Sequence, residues 1–174
     1  VLSFVSSPDY ETQSSYSATV TVSDGDNTTS QAISVNISNI NEAPIFTSSA
    51  IFSAPENQTS IGVISIFVDD GDAITYSISG SEIIIDSSTG VIAFASPPDY
   101  EKNTVFTSQV TASDGLNVVT QDITVKLTNV NDIAPTFLSS EVFTLEENTK
   151  SIGNVVADDA EGDEVLLSIS TDDI

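Results

Sequence analysis

The sequence predicts an all-β protein made of tandem Ig-like Greek-key β-sandwiches arranged head-to-tail. Three observations predict this fold: the chain repeats itself, its apolar residues alternate with polar ones, and turn residues separate the alternating runs. A period of about 90 residues fits one small sandwich domain. Alternation with a period of two is typical of half-buried strands, and no stretch of the 174 residues has a convincing helical period.

The repeat is visible in acidic and linker motifs that return at nearly constant spacing. The first two pairs are 90 positions apart, and one inserted residue before the Ala-Pro pair makes the last spacing 91. The four pairs are Pro8-Asp9-Tyr10-Glu11 with Pro98-Asp99-Tyr100-Glu101, Ser23-Asp24-Gly25 with Ser113-Asp114-Gly115, Asn39–Phe46 with Asn129–Phe137, and Pro55-Glu56-Asn57 with Glu146-Glu147-Asn148.

The predicted strands are short alternating runs that end at turn signals. In the first copy they extend over Tyr16–Val22 and Ile33–Ile37, and in the second over Phe106–Ala112 and Ile123–Leu127. Ser, Thr, Val and Ile dominate these runs, as is usual for strands. Asp-Gly pairs at 24–25 and 114–115 and the Ser-Thr-Gly sequence at 88–90 provide the turns.

Two proline-containing linkers divide the chain into three parts. We predict the back part of one repeat at 1–43, a complete repeat at 44–134 and the front part of the next at 135–174. Aligned on the complete repeat, Val1 corresponds to Val91 and Ile174 to Ile83. Because free partial sandwiches would leave open strand edges, we expect either a slice of a longer array or a subunit that joins identical subunits head-to-tail.

Charge narrows the possible partners. The net charge is −23, and Lys102, Lys126 and Lys150 are the only cations. Nucleic acid is excluded because phosphate binding needs Lys and Arg, and anionic membranes are disfavoured for the same reason. Self-repulsion at this charge destabilises a compact state unless counter-ions bind, so divalent cations are expected. Solubility alone is the simpler alternative.

The missing residue types exclude several chemistries. Without Cys or His, the chain has no disulfide, no Cys or His zinc ligand and no Ser-His-Asp triad. Paired carboxylates such as Asp99 and Glu101 could serve a glycosidase, but Trp is absent and aromatic residues are few. We therefore do not expect an enzyme. No apolar run reaches transmembrane length.

Five motifs, in fixed order, make the chain resemble the cadherin repeat over essentially all of its length. They are Pro-Glu-Asn near the start of the unit, Asp-Tyr-Glu before a late strand, Asp-Gly after the next strand, Asn-x-Asn-Glu/Asp with Ala-Pro at the linker, and Ile84–Ile92, which is similar to Ile-Asp-x-x-Thr-Gly-x-Ile. The resemblance implies Ca²⁺ between successive repeats and an extracellular or cell-surface location. The absence of Cys does not itself place the protein outside the cell, but it fits a secreted bacterial protein stabilised by metal instead of disulfides, and we expect a bacterial source.

The resemblance also implies two sets of calcium ligands. Ca²⁺ takes about six to eight oxygens, so several chain segments must contribute. The junction around residue 42, called the first junction below, would use Asp9, Glu11, Asn39, Asn41, Glu42, Asp69 or Asp70, and Asp114. The junction around residue 132, called the second junction, would use Glu56, Asp99, Glu101, Asn129, Asn131, Asp132, Asp159 and Glu161.

Departures from the family pattern are expected to weaken calcium binding at the first junction more than at the second. Asn39 and Asn129 replace an Asp, which keeps an oxygen ligand but removes a charge. Glu42 is one methylene longer than the usual Asp. The acidic loop at 68–72 is expected to be shorter than the loop at 157–163, which leaves Asp69 and Asp70 as alternatives. We expect fewer ions at the first junction.

The predicted function is a Ca²⁺-rigidified rod in cell adhesion, in a surface adhesin or in an extracellular filament. Its partners would be calcium ions, neighbouring repeats or identical subunits, and a surface protein or glycan. The alternatives are a spacer or carbohydrate-binding module of a secreted polysaccharide-active enzyme, and a metal-free acidic spacer. Homophilic adhesion by exchange of a Trp-anchored strand is not carried over, because the chain has no Trp.

Overall fold

The computed structural model describes residues 1–170, and every regular element in that range is a β-strand. The predicted all-β class is therefore confirmed. The last four residues of the predicted third unit, including Ile174, lie outside the described residues. The strands are β1 (Ser15–Ser23), β2 (Thr28–Asn36), β3 (Ile45–Phe46), β4 (Ile51–Pro55), β5 (Ser60–Val63), β6 (Ile66–Phe67), β7 (Thr75–Ile78), β8 (Ile83–Ile85), β9 (Val91–Phe94), β10 (Val105–Ser113), β11 (Val118–Thr128), β12 (Thr136–Phe137) and β13 (Ala157–Asp158).

Strands β3 to β11 form one sandwich, called the middle repeat below. One sheet has the order β4-β11-β10-β7 and the other the order β5-β9-β8. Strand β4 runs parallel to β11, with Ile51 opposite Thr124, whereas the other pairs are antiparallel. The short pair β3-β6 lies next to the linker that ends at Pro44.

The hydrophobic core lies between these two sheets. Every second residue of β11 points into it, so that Ile123, Val125 and Leu127 are buried while the intervening residues are not. Phe94 of β9 packs edge-on against Phe106 of β10 with ring centroids 5.0 Å apart. The core cluster is Ala54, Ile64, Ile83, Ile92, Phe94, Phe106, Val110, Ile123, Val125 and Leu127.

The Ile-Asp-x-x-Thr-Gly motif builds the turn between β8 and β9. Asp86 accepts hydrogen bonds from the backbone N–H groups of Ser88 and Thr89 and from both hydroxyls, at 2.8–3.0 Å. These bonds hold the pKa of Asp86 well below its ordinary value of 3.8. Gly90 has a φ of +71°, and a Cβ there would lie 2.6 Å from the Ile64 carbonyl oxygen.

The flanking parts repeat elements of the middle repeat. Strands β1 and β2 form an antiparallel hairpin like β10 and β11, and β12-β13 pairs like β3-β6. Neither flanking part contributes a residue to the hydrophobic core cluster. No helix among the described residues is long and apolar enough to span a membrane.

Candidate metal centres at the repeat junctions

Three groups of carboxylates come together near the two linkers. In each group, one oxygen from every member lies within 4.8 Å of the others. The first junction has one group, and the second junction has two. The groups are Glu11 with Glu42 and Asp70, Glu56 with Asp99 and Glu101, and Asp159 with Glu161 and Asp163.

Glu56 is the structural centre of the second junction. It follows β4 and is almost completely buried, with 3% of its surface exposed. One carboxylate oxygen accepts a 2.9 Å bond from the Val130 N–H, and the other accepts a 2.7 Å bond from the Tyr100 N–H. Because buried carboxylates need such partners, Glu56 ties the Asp-Tyr-Glu loop to the linker.

The Asp-Tyr-Glu loop brings Asp99 and Glu101 beside Glu56. The Lys102 ammonium donates a 2.7 Å bond to Asp99, which holds the pKa of that carboxyl below its ordinary value. The surroundings of Glu101 shift its pKa in the opposite direction. Although its side chain is exposed, desolvation by the surrounding protein, and then the negative charges of Glu56, Glu161 and Asp99, raise its pKa above the ordinary value of 4.5. A cation placed there would relieve this repulsion.

The acidic loop after β13 reaches back to the linker. Asp159 is buried, with 7% of its surface exposed, and accepts a 2.9 Å bond from the Glu161 N–H. Glu161 in turn accepts bonds of 3.0 and 2.8 Å from the backbone N–H groups of Asp132 and Ile133. Asp163, which the sequence motifs did not single out, accepts a 2.5 Å bond from the Asn131 amide.

Asn57 is a second residue that the sequence motifs did not assign to the junction. Its side-chain amide donates a hydrogen bond to Asp132, and its φ of 62° lies in the left-handed region. Asn148, the equivalent residue of the next repeat, has a φ of 68°. Asn tolerates this conformation better than most residues do, so the recurrence of Asn after Glu was the available signal. By contrast, Asn129 makes no side-chain hydrogen bond within the described part of the chain.

The first junction is built on Asp70. Its two oxygens accept 2.8 Å bonds, one from the Asn39 amide and one from the Glu42 N–H. The Asn39 bond is the main reason why the pKa of Asp70 is lowered. Glu11 and Glu42 are exposed side chains, and desolvation by the surrounding protein, and then the charges of neighbouring carboxylates, raise their pKa values.

Asp114 and Asp9 complete the surroundings of the first junction in different ways. The Asn41 amide donates a 2.9 Å bond to Asp114, although 73 positions separate them. Bonds led by the Asn117 N–H lower the pKa of Asp114 to about 2. Asp9 lies on the cleft that Glu11, Glu42 and Asp69 also line. Bonds led by the Thr12 N–H lower its pKa, because the carboxylate caps its own turn.

The structure corrects the expected difference in loop length. Strands β6 and β13 are 91 positions apart, and so are Gly71 and Gly162, which have φ values of 74° and 83°. The two acidic loops therefore have the same length. Asp70 is the equivalent of Glu161, and both bond the backbone N–H of the linker acid. The same alignment places Val68 opposite Asp159.

Sequence comparisons connect the chain with cadherins. It is 38% identical over 90 residues to mouse cadherin-related family member 2, a match that covers 50% of this chain and 7% of that protein. It is 33% identical over 72 residues to human cadherin-23, covering 39% and 2%. It is 26% identical over 140 residues to mouse cadherin EGF LAG seven-pass G-type receptor 1, covering 74% and 5%. No protein-family profile matches.

Structure comparisons identify the same fold. The EC1-2 fragment of human protocadherin-24 has a TM-score of 0.59 at 26% identity, covering 68% of this chain and 60% of that one. The protocadherin gammaB7 EC3-6 cis-dimer structure has a TM-score of 0.67 at 22% identity, covering 87% and 45%. Both solved structures are of cadherin extracellular repeats, whose tandem Ig-like sandwiches agree with the predicted fold.

The comparisons also bear on the predicted source and function. The chain spans between 2% and 14% of the length of eight curated relatives that it matches. All of these relatives are animal proteins, so the expected bacterial source is not supported. Neither is the alternative of a module in a polysaccharide-active enzyme. Relatives and structures agree with the motifs, and the repeated unit of this chain is a cadherin repeat.

Proposed function

We propose that the chain is a calcium-binding extracellular adhesion module in which ions at the two junctions hold successive cadherin repeats in a fixed orientation. The observation that carries this proposal is the convergence of acidic side chains at the second junction. Glu56, Asp99 and Glu101 come from two distant segments of the middle repeat, and their oxygens lie within 4.8 Å of each other. The charge of Glu161, from the following repeat, acts on Glu101.

The donor set favours Ca²⁺ over other ions. All candidate ligands are side-chain carboxylates or side-chain amide oxygens, which are the ligands of hard cations. Mg²⁺ prefers a small octahedral shell that keeps several waters, whereas Ca²⁺ accepts about six to eight protein oxygens in flexible geometry. Carboxylates gathered from the loop, the linker and the next repeat suit the larger ion better.

The junction residues would act through their charge: without an ion their carboxylates repel one another, and with Ca²⁺ bound they would hold the two repeats in one orientation. Glu56 and Glu161 already position the linker through its backbone N–H groups. Bound Ca²⁺ would neutralise the carboxylates that face each other across the linker. Because the complete ligand set exists only when both repeats are ordered, binding would stabilise that arrangement by linkage.

We assign the ligands of the two junctions as follows. At the first junction, Asp70 is preferred over Asp69 because Asp70 takes the position of Glu161 and lies in the carboxylate group. Val68 supplies no ligand where the second junction has Asp159, so the first junction would hold fewer ions. The proposed ligands are Asp9, Glu11, Asn39, Asn41, Glu42, Asp70 and Asp114 at the first junction, and Glu56, Asp99, Glu101, Asn129, Asn131, Asp132, Asp159, Glu161 and Asp163 at the second.

We also propose that the repeats divide at 1–43, 44–134 and 135–174. The hydrophobic core supports this division, because all of its members lie between Ala54 and Leu127. Neighbouring repeats or identical subunits would continue the array in both directions. The adhesive role and the cell-surface location rest on the cadherin relatives, most of whose length lies beyond the region that this chain matches.

Calcium-dependent unfolding tests the proposal. Added Ca²⁺ should raise the melting temperature of the chelator-treated chain and narrow the distribution of interdomain orientations seen by small-angle scattering. Glu101→Gln should reduce this response by removing the contribution of the second junction, while the first junction keeps its ligands. Asp122→Asn is the matched control, because Asp122 is exposed on β11 and bonds only the Gln109 amide among the described residues. An unchanged melting temperature in millimolar Ca²⁺ would refute the proposal.

A further inference from the structure

We propose that Asn36 is the attachment site of an N-linked oligosaccharide. Asn36-Ile37-Ser38 has the pattern Asn-x-Ser/Thr, with a residue other than Pro in the middle, that is recognised for glycosylation in secreted proteins. The inference does not depend on calcium ions. It rests on the extracellular location that belongs to the proposed function, because a chain meets the glycosylation machinery only on its way out of the cell.

The same pattern occurs three times in the chain, so the pattern alone does not select a site. The repeat allows the three to be compared, because each Asn has a counterpart about one period away whose role in the fold is visible. An Asn that the fold itself requires needs no modification to explain it. The three matches are Asn27-Thr28-Thr29, Asn36-Ile37-Ser38 and Asn57-Gln58-Thr59.

Asn57 is required by the fold. Its backbone is left-handed, with a φ of 62°, and its amide donates a hydrogen bond to the Asp132 carboxylate. The counterpart Asn148 keeps the conformation, with a φ of 68°, but Lys150 stands where the acceptor pattern needs a hydroxyl residue. The recurring feature is therefore the Asn and not the pattern. A sugar on the Asn57 amide would lie in the second junction beside Asp132, so we expect none there.

Asn27 also has a structural role. Its backbone N–H donates a 2.7 Å bond to the Asp24 carboxylate and closes the turn between β1 and β2. The counterpart Asn117 closes the same turn in the middle repeat, and its side-chain amide donates a further bond of 3.2 Å to Asp114. Val119 follows two positions later, so the acceptor pattern is again absent from the second copy. The turn explains this Asn in both copies.

Asn36 has no comparable role in the fold. It is the last residue of β2, and its backbone pairs with Ser15, while its side-chain amide has no hydrogen-bond partner among the described residues. Its counterpart in the middle repeat is Lys126, which shows that the sandwich does not need Asn at this position. The amide nitrogen of Asn36 is thus available to carry a sugar without loss of a structural contact.

The complete middle repeat shows that this position faces solvent. Lys126 is exposed although both strands next to β11 are in place, with Val105 of β10 opposite it on one side and Ser53 of β4 on the other. The exposure of Asn36 is therefore a property of the sandwich and does not depend on the strands that surround residues 1–43. An attached oligosaccharide would extend from the outer face of the sheet into water.

The outer face around Asn36 suits a bulky, neutral and hydrated substituent. In the middle repeat the same face carries the charged side chains of Asp122 and Lys126. In the β1-β2 hairpin it carries no charged side chain, although the net charge of the chain is −23. The residues that share this face with Asn36 are all small and exposed, and they are Ser15, Ser17, Thr19, Thr21, Ser23, Thr28, Ser30, Ala32 and Ser34.

The modification is a group transfer that the secretory machinery catalyses. The Asn36 amide nitrogen forms a bond with the anomeric carbon of an oligosaccharide donor that is activated as a pyrophosphate. The bond between that carbon and the pyrophosphate oxygen breaks, the pyrophosphate leaves with the electron pair, and the amide nitrogen gives up one proton. The Ser38 hydroxyl belongs to the recognised pattern, so modification needs Ser38 as much as it needs Asn36.

The test is mass spectrometry of this chain secreted from cultured animal cells, before and after digestion with peptide-N-glycosidase F. We expect one oligosaccharide, and digestion should leave Asp at position 36 in the peptide map. Asn36→Gln and Ser38→Ala should each remove the added mass completely. Ser38→Thr preserves the acceptor pattern and should preserve the oligosaccharide. Asn27→Gln is the matched control on the same hairpin and should leave the added mass unchanged.

The outcomes separate this inference from the calcium function. Circular dichroism should show the same fold in all variants, because the substituted side chains are exposed. An unmodified position 36 in the secreted chain, a glycan that persists in Ser38→Ala, or a glycan on Asn57 would each overturn the proposal. A chain that Ca²⁺ stabilises but that carries no sugar contradicts this inference alone. A glycosylated chain that does not respond to Ca²⁺ contradicts only the calcium function.

Discussion

The side-chain amide of Asn57 donates a hydrogen bond to the Asp132 carboxylate across 75 positions of sequence. The bond joins the turn that follows β4 to the linker that follows β11, the last strand of the middle repeat. It depends on the left-handed backbone of Asn57, which aims the amide at the linker. Local backbone geometry in one segment thus positions a proposed metal ligand in another.

Replacing Asn57 should separate the backbone contribution from the hydrogen bond. Asn57→Ala should lower the free energy of unfolding by on the order of 1 kcal/mol, because Ala pays a steric penalty at positive φ. Asn57→Gly removes the amide but keeps the conformation, so it should cost less. Urea denaturation measures both. Equal losses for the two variants would contradict this explanation.

A carboxylate at position 68 should strengthen calcium binding at the first junction. Val68 occupies the place that Asp159 has at the second junction, so Val68→Asp supplies a missing ligand. Titration calorimetry should show higher affinity, or an additional ion, relative to the parent chain. Thr107→Asp, on the exposed side of β10, is the charge-matched control and should leave the titration unchanged.

Stability without calcium should fall as pH rises from about the ordinary Glu value of 4.5 toward neutrality. The pKa values of Glu11, Glu42 and Glu101 are raised in the folded state, so the folded chain holds these protons more tightly than the unfolded chain does. The stabilisation is present at low pH and is lost as pH passes the raised values. Melting curves in chelator should show this slope.

Calcium should reverse the same pH dependence, because its ligands must be deprotonated. With Ca²⁺ present, the melting temperature should increase from pH 4.5 to neutrality. The triple variant Glu11→Gln, Glu42→Gln and Glu101→Gln should flatten both slopes. A chelator curve that rises throughout this range would show that neighbouring carboxylates do not repel these three groups in the folded chain.

Replacing equivalent apolar residues of two repeats with Ala should lower the free energy of unfolding by very different amounts. Ile92→Ala opens a cavity in the core and should lower the free energy of unfolding by about 2–5 kcal/mol. Leu2→Ala, at the matching position of residues 1–43, should change it by less than about 0.5 kcal/mol, because Leu2 is 74% exposed. Denaturant unfolding at low protein concentration measures both values.

Two glycines with similar φ should respond differently to substitution. Gly71→Ala introduces only the left-handed backbone penalty, since nothing lies within 4 Å of the added Cβ. Gly90→Ala adds a collision with the Ile64 carbonyl oxygen at 2.6 Å and should destabilise the chain more. Thermal unfolding compares them directly. If Gly71→Ala lowered the melting temperature as much as Gly90→Ala does, the collision would contribute nothing beyond the backbone penalty.

Local sequence patterns predict the hairpins well. The alternation in Ile123, Val125 and Leu127 places all three on the buried face, because a strand side chain's direction depends only on its own position. The resemblance to the cadherin repeat also implies that Glu56, Asp99 and Glu101 meet at one junction, and their carboxylates do lie together. These predictions need no knowledge of tertiary distances.

Tertiary contacts account for the junction residues that sequence patterns did not predict. Asp163 and Asn57 bond linker residues from distant segments, and alternation carries no information about such contacts. The choice between Asp69 and Asp70 needed the register of β6 and β13, which two-residue strands do not reveal in sequence. Sheet pairing therefore supplied the alignment that motif spacing left open.

The parallel pairing of β4 with β11 has a mechanical consequence. The two strands pair over five residues, from Ile51 opposite Thr124 to Pro55 opposite Thr128, with β4 near the start of the middle repeat and β11 at its end. Tension between the ends of the middle repeat pulls β4 and β11 in opposite directions along their length. In a parallel pair the interstrand bonds are evenly spaced and slanted across that direction, so they are loaded together in shear and cannot open one after another as in a zipper.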